Sequence, residues 1–281
     1  MGAGAMLEEK IRAMAHIIRH GGGMALTGAG ISAESGMSTY RGPGGLWERY
    51  PEGKRMGILG MLLYYPQDAP QVLGDFFDRL EHAEPNAAHR ALAELERMSL
   101  LRGVITQNTD DLHQQAGNRC VYALHGNIYR LRCLTCGSTR VLGRTAFVGL
   151  GHALVRAAAI SLEAVVDVLP LCTCTGRMRP DVVGFGEPVQ DIKEALTEVY
   201  SCAWMLVVGT SGIVRPAAAL PSKAKERGAK IIEVNPLPSP ISDLADIVVR
   251  APAGEILPSV VRSVKQLSNQ DLSQPTNLLG Q

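Results

Sequence analysis

The stretch Met24-Ala-Leu-Thr-Gly-Ala-Gly-Ile-Ser-Ala-Glu-Ser-Gly-Met-Ser-Thr-Tyr-Arg-Gly42 decides the fold. It begins as a short apolar run after Gly21-Gly22-Gly23, turns on Gly28-Ala29-Gly30, and continues through Ile31 to Ser35 with residues that can start a helix. Strand, glycine turn and helix start together let backbone N–H groups and a helix N-terminus approach a pyrophosphate. On this reading the glycines are needed because a Cβ would hold the diphosphate off the backbone. Ala33 stands where the usual G-x-G-x-x-G pattern has its third glycine. The turn alone therefore leaves a ligand-free glycine-rich βα connection open as the alternative.

Short Val/Ile-rich runs recur along the chain. Leu101 to Thr106, Cys120 to Leu124, Trp204 to Val208, Lys230 to Val234 and Asp246 to Arg250 read as five further strands. Helical spacing marks Leu7 to Arg19, Val72 to Leu80, Pro85 to Leu95, Ile192 to Tyr200 and Ala217 to Arg227, with a short helix from Asp111 to Ala116 stopped by Gly117. Apolar strands alternating with helices predict an α/β fold, a doubly wound, Rossmann-like parallel sheet buried on both faces. Polar residues follow several strand ends: Gln107-Asn108-Thr109-Asp110, His125-Gly126, Gly209-Thr210-Ser211 and Asn235-Pro236. Sheets of this kind bind ligands at those ends. The stretch from Ser35 to Pro70 has weak periodicity and reads as a functional lid or inserted module. The residues from Ser268 onward read as a loose tail.

Composition narrows the function. A formal net charge of +1 argues against duplex DNA or an anionic membrane as partner. The most apolar long run, Ala157 to Leu171, is broken by Glu163, Asp167 and Pro170, so a membrane span is not expected. Four of the six cysteines fall in two pairs, Cys133-Leu-Thr-Cys136 and Cys172-Thr-Cys174. Four thiolates suffice to close a tetrahedral structural zinc site, with no position left for catalysis. The tighter second pair leaves a lost site with buried thiols as the alternative. Cys120 and Cys202 lie in apolar runs and read as small core residues. Cysteine usage of this kind suits a reducing, cytoplasmic setting.

Taken in order, Gly28 to Gly36, Thr106 to Asp110, Leu124-His-Gly126, the two cysteine pairs, Arg179-Pro-Asp-Val-Val-Gly-Phe-Gly-Glu187, Gly209-Thr-Ser211 and Asn235-Pro236 resemble the sirtuin family of NAD-dependent protein deacylases. The resemblance runs from about Leu7 to Val264. Gly45-Leu46-Trp47 and Pro85-Asn-Ala-Ala-His89 look closer to the bacterial and mitochondrial desuccinylase-like branch.

The resemblance implies an NAD-binding domain of residues 7–36, 85–130 and 183–264, a cofactor loop and helical module of 37–84, a zinc module of 131–182, and a flexible tail of 268–281. It implies transfer of an acyl group from lysine in a protein substrate to ADP-ribose, with release of nicotinamide. His125 matches the catalytic base, a task suited to an imidazole. Asn108 matches the catalytic residue that orients the nicotinamide ribose. The cofactor contacts implied are Gly28, Ala29, Gly30, Ser32, Tyr40, Arg41, Gln107, Asn108, Asp110, Gly209, Thr210, Ser211 and Asn235. Zinc falls to Cys133, Cys136, Cys172 and Cys174. Val183, Phe185, Gly186 and Glu187 match the loop that receives the acylated peptide as an added strand.

Several residues depart from the family pattern. Met37-Ser38-Thr39-Tyr40-Arg41 replaces Ile-Pro-Asp-Phe-Arg, Thr109 replaces isoleucine, and Gly184 replaces tryptophan. The Tyr-x-x-Arg pair that reads acidic acyl groups is matched only by Phe76-x-x-Arg79, so acetyl or a longer apolar acyl group is preferred over succinyl. A mono-ADP-ribosyltransferase or NAD-consuming hydrolase on the same scaffold is the competing reading. A non-catalytic NAD-sensing protein is a third.

Overall fold

The computed structural model describes residues 2–42, 44–51 and 58–273. Six strands form one parallel sheet: β1 (Gly23–Thr27), β2 (Leu101–Thr106), β3 (Val121–Ala123), β7 (Trp204–Val208), β8 (Lys230–Val234) and β9 (Ile247–Val249), in the spatial order β3-β2-β1-β7-β8-β9. All six are the strands that the apolar runs predict, trimmed by a residue or two at β3 and β9. Strand order reverses direction between β1 and β7, and a crevice opens there at the carboxyl ends.

Side-chain alternation sends successive residues of each strand to opposite faces. Ala25, Val104, Leu206 and Ile232 join one core with α1 (Ala3–Ile18), α5 (Ala87–Arg97) and α11 (Ala253–Ser273). Leu26, Ile105, Val207 and Ile231 join the other with α9 (Ile192–Ser201) and α10 (Leu220–Glu226). Every residue of β1 and β7 is buried, which is why these strands read as continuous apolar runs.

Three local readings change. The segment after β1 is a 3-10 helix, Ala29–Ser35, ended by Gly36 in the left-handed conformation, where an α-helix start was expected. The stretch expected to be irregular holds α2 (Leu46–Arg49) and α3 (Ile58–Tyr64), while Pro43 and residues 52–57 lie outside the described residues. α11 packs along α1 and α5 as far as Leu267 and continues as helix through Ser273, past the expected start of the tail; residues 274–281 lie outside the described residues.

The remaining elements form a smaller unit against the crevice. β4 (Gly126–Cys133) pairs antiparallel with β5 (Thr139–Val141) and β6 (Met178–Val182). α4 (Ala69–His82) packs on α7 (Arg144–Ala158), with Leu73, Phe77, Leu80 and Phe147 filling the space under Ile128 and Tyr129 of β4. α6 (Leu112–Ala116) leads from β2 to β3, and α8 (Leu162–Val168) folds back beside α7. The small sheet and the α7–α8 pair give no clean periodicity in sequence, because they are short and partly exposed.

Candidate active site

The turns after β1 and β7 meet backbone to backbone. A Cβ on Gly30 would lie 2.7 Å from the carbonyl oxygen of Gly209, and one on Gly209, at φ +58°, would lie 2.4 Å from the amide of Ile31. The main chains are also bonded, Gly30 N–H to Gly209 O at 2.8 Å and Gly28 N–H to Val208 O at 3.1 Å. Contact between the two turns is thus a reason for these glycines in its own right, beside the clearance for a diphosphate that the sequence leads one to expect. The turns are held at the switch point of the sheet all the same.

Gln107, just past β2, ties three parts of this crevice together. Its backbone N–H donates to Thr27 O at 3.0 Å, its side-chain amide donates to Thr210 Oγ1 at 2.8 Å, and its carbonyl sits 2.9 Å from His125 Nδ1. A carbonyl only accepts, so Nδ1 carries the proton and Nε2 is left with its lone pair. Burial pushes the His125 pKa below its ordinary value, opposed by the Gln107 carbonyl. The imidazole is thus a neutral base at working pH. Asn235 donates its amide to Thr210 O at 2.9 Å, fixing the far side of the same turn, and Ser211 follows half-exposed.

A second network lies deeper. Ser32 Oγ donates to Asp110 Oδ2 at 2.7 Å and accepts from Asn108 Nδ2 at 3.1 Å. Asn108 also donates to Gly28 O at 3.2 Å. Burial raises the Asp110 pKa, against the opposing hydrogen bonds from Ser32 and the Leu112 N–H. Behind them stand His89 and His113, their rings 4.9 Å apart edge to face, with burial lowering their pKa values to about 4 and about 3. His89 accepts the Asn86 N–H at Nδ1 and so presents Nε2–H toward Ser32 Oγ at 3.5 Å; Asn86 caps α5 and donates to Ile31 O at 2.7 Å. Sequence reasoning missed this buried support. The capping box, Asn86 three residues before His89, was its one readable signal.

The expected peptide loop is anchored on His125. Val183 N–H donates to His125 O at 2.9 Å, and the loop is pinned by Arg179, whose Nη2 donates to both Glu187 oxygens at 2.6 and 2.8 Å. Glu187 also accepts from Gly184 N–H at 2.8 Å, and Phe185 stands exposed at the tip beside Gly186. Gly126 follows the base at φ +84°, where a Cβ would lie 2.0 Å from Asp181 O. Asp181 is buried and is gripped by Arg130 Nε at 2.5 Å and Arg132 Nε at 2.6 Å.

On the cofactor-loop side, Tyr40 stacks on Trp47 with ring centroids 5.3 Å apart. Main-chain bonds from Leu46 N to Thr39 O and from Trp47 N to Tyr40 O close the loop around Arg41. Arg79 donates to Gly36 O at 2.9 Å, at the foot of this loop. Thr109 uses its carbonyl to accept from Ile128 N–H at 3.1 Å.

The four expected metal ligands converge: the Sγ atoms of Cys133, Cys136, Cys172 and Cys174 all lie within 4.8 Å of one another. Cys133 Sγ is 3.5 Å from Cys174 Sγ and accepts from the N–H groups of Thr135 and Cys136 at 3.4 and 3.5 Å. Sulfurs this far apart are not disulfide-bonded, and amides turned onto a sulfur suit a thiolate. The donor set fits structural zinc, with no ligand position left open. Of the other two cysteines, Cys202 is buried and Cys120 half-buried.

The Sir2 family model matches residues 28–216, which include the glycine turns, Asn108, Asp110, His125, the Val183–Glu187 loop and all four cysteines. The chain belongs to the Sir2 family. Among its Sir2 relatives, an NAD-dependent protein deacylase of Thermococcus kodakarensis is 46% identical over 254 residues, covering 87% of this chain and 91% of the relative. A solved Sir2 homolog–NAD complex superposes with a TM-score of 0.73 at 36% identity, covering 91% of this chain and 94% of that one. Sir2Af2 bound to a myristoylated histone peptide matches with a TM-score of 0.68 at 34% identity, covering 94% and 99%. The Sir2 fold explains the small zinc-type module beside the parallel sheet.

Proposed function

We propose that this protein is an NAD-dependent protein-lysine deacylase that moves an acyl group from lysine to ADP-ribose and releases nicotinamide. The observation that carries the reading is the placement of His125, its Nδ1–H committed to Gln107 O and its own carbonyl joined to the Val183 loop. NAD supplies the electrophilic ribose carbon and the acyl acceptor. Asn108, Ser32 and Asp110 bind its nicotinamide end; Gly28, Ala29, Gly30, Tyr40, Arg41, Gln107, Gly209, Thr210, Ser211 and Asn235 hold the remainder. His125 Nε2 takes a proton from a ribose hydroxyl so that the acyl group can be transferred. The loop of Val183, Phe185, Gly186 and Glu187 pairs with the acylated peptide. Zinc on the four cysteines holds the small module together.

The acyl group we favour is acetyl or a longer apolar chain. Arg79, the residue that an acidic acyl group would need, instead donates to the Gly36 carbonyl. This weighs against the desuccinylase-like specificity, although Gly45-Leu46-Trp47 and the Pro85–His89 motif still favour that branch. A cytoplasmic setting, with neither nucleic acid nor membrane as partner, fits the near-neutral charge; among the described residues no helix is long and apolar enough to cross a membrane.

The test is nicotinamide release from NAD with acetyl-, succinyl- and myristoyl-lysine peptides, for wild type and His125→Ala. Peptide-dependent release that yields acyl-ADP-ribose and collapses in the variant is the expected result. NAD consumption indifferent to every peptide would replace the reading with the hydrolase or ADP-ribosyltransferase.

A further inference from the structure

A second concavity, of about 280 Å³ and open to solvent on one side, lies where α6 meets the start of the small sheet. Asp111 and Gln115 line it from one side, and Asn127, Tyr129, Arg130 and Arg144 from the other. None of His125, Asn108, Asp110 or Ser32 reaches it.

Its polar groups are incompletely paired among the described residues. Arg144 makes one short hydrogen bond, to Ala83 O at 2.7 Å, and its contacts with Tyr129 Oη, Glu81 O and Gln115 Oε1 are all 3.4 Å. The Tyr129 hydroxyl accepts that weak bond and donates to no described residue, although the residue is only 6% exposed. Asp111 Oδ1 accepts from Asn127 Nδ2 at 3.2 Å, and Oδ2 has no hydrogen-bond donor among the described residues. Arg130 is committed to Asp181 and Gln190 and contributes mainly wall. Asp111 and Arg144 are only half-buried, so these groups meet water when the site is empty, and a ligand would displace that water.

The backbone is bent here too. Asp111 is a non-glycine residue at φ +63°, and the β4–β6 pairing shifts register between Asn127 and Leu131, so Tyr129 and Arg130 have no partner on β6, although Arg130 stays paired with Val141 of β5. Strained residues and bulges of this kind gather at binding sites.

We propose that this cavity binds a small organic acid bearing a hydroxyl or amino group on the carbon next to its carboxylate. The carboxylate accepts from Arg144 and from the Tyr129 hydroxyl; the neighbouring hydroxyl or ammonium donates to Asp111 Oδ2. A plain carboxylate leaves Asp111 Oδ2 without a donor, and a plain amine leaves the Tyr129 hydroxyl proton without an acceptor. The volume falls near the lower end of ligand pockets, about 300 Å³, which suits a metabolite of amino-acid size. Its occupant would bridge α6 and β4, touching the chain one residue after Asp110 and, at Tyr129, four residues after His125.

Calorimetric titration of the full chain with lactate, malate, alanine and phenylalanine, against propionate and ethylamine, tests the assignment. At least one of the first four is expected to bind saturably and about tenfold or more tighter than both controls, the discrimination one charge-assisted hydrogen bond supplies. Tyr129→Phe and Asp111→Asn should each weaken it by about tenfold. Both variants should keep wild-type zinc content and melting temperature. Preference for hydroxy or amino acids then names the donor. Absence of saturable binding, equal binding of propionate, or binding unchanged in both variants overturns the proposal. The readout is binding alone, so none of these outcomes bears on the deacylase reading.

Discussion

His125 gives its Nδ1–H to the main-chain carbonyl of Gln107 across 2.9 Å. That bond sets the tautomer, and burial holds the ring pKa below its ordinary value. A base must be unprotonated to act, so activity should be lost as pH falls through the folded pKa and should be level above it. The acid limb of kcat/KM is expected below pH ~6.5, the ordinary imidazole value. His125→Ala should cost about 10²–10⁴-fold, with nicotinamide release as the readout. An acid limb at or above the ordinary value would contradict the buried, neutral ring.

Stability should also fall in acid, for a different pair of rings. The pKa values of His89 and His113 are lowered to about 4 and about 3 in the folded chain. Between those values and ~6.5 the unfolded chain binds protons that the folded chain refuses, so stability rises with pH across that window and is flat above it. At pH 5 each ring should cost about 2 kcal/mol relative to pH 7.5. Urea midpoints at the two pH values measure this, and an unchanged midpoint would mean that the rings are not held neutral by burial.

Gly209→Ala should damage fold and cofactor binding together. Its Cβ would lie 2.4 Å from the Ile31 amide at a positive φ, and both obstacles are backbone. A loss of about 1–3 kcal/mol is expected from strain of this kind, read by denaturant melts. NAD titration should show weakened affinity, because the β1 turn moves with the β7 turn.

Zinc analysis should find about one atom per chain, the stoichiometry of four convergent thiolates. Cys133→Ser should lose the metal and expose β4, β5 and β6 to amide exchange, while β1, β7 and β8 stay protected. Retention of slow exchange in the small sheet without metal would show that zinc is dispensable there.

Arg79→Met should raise the KM for NAD by a few-fold, the effect of about 1 kcal/mol from one lost hydrogen bond. The ratio of succinyl to acetyl turnover should stay unchanged, because Arg79 is bonded to Gly36 at the foot of the cofactor loop. A selective loss of succinyl turnover would restore the acidic-acyl role to Arg79.

Much of this was legible in the chain itself, for physical reasons. β1 and β7 are buried on both faces, so their apolar runs read as parallel strands, and the glycine turns and polar strand ends follow from where such sheets open. The cysteines announced themselves because a metal site needs four sulfurs close together whatever lies between. The contact that also requires Gly30 and Gly209 was not legible, since it depends on two turns from distant parts of the chain touching. Nor were the roles of His89 and His113: a histidine in a helix pattern looks the same whether it is solvated or buried neutral. The cavity at Tyr129 and Arg144 depends on a register shift that no local pattern encodes.

The hydrogen bond from Val183 N–H to His125 O works as a ruler. On the proposed function, a peptide strand laid against this loop would be counted off from His125 itself, and a slip of one residue would turn the modified lysine to the opposite side. Because the ruler is main chain, replacements nearby leave it in place unless proline removes the N–H at position 183. Position 184 can hold a glycine, and the tip can carry an exposed Phe185, while the alignment between substrate and base is preserved. Side chains on the loop are free to diverge with the proteins they meet; the measure of distance to the chemistry stays fixed.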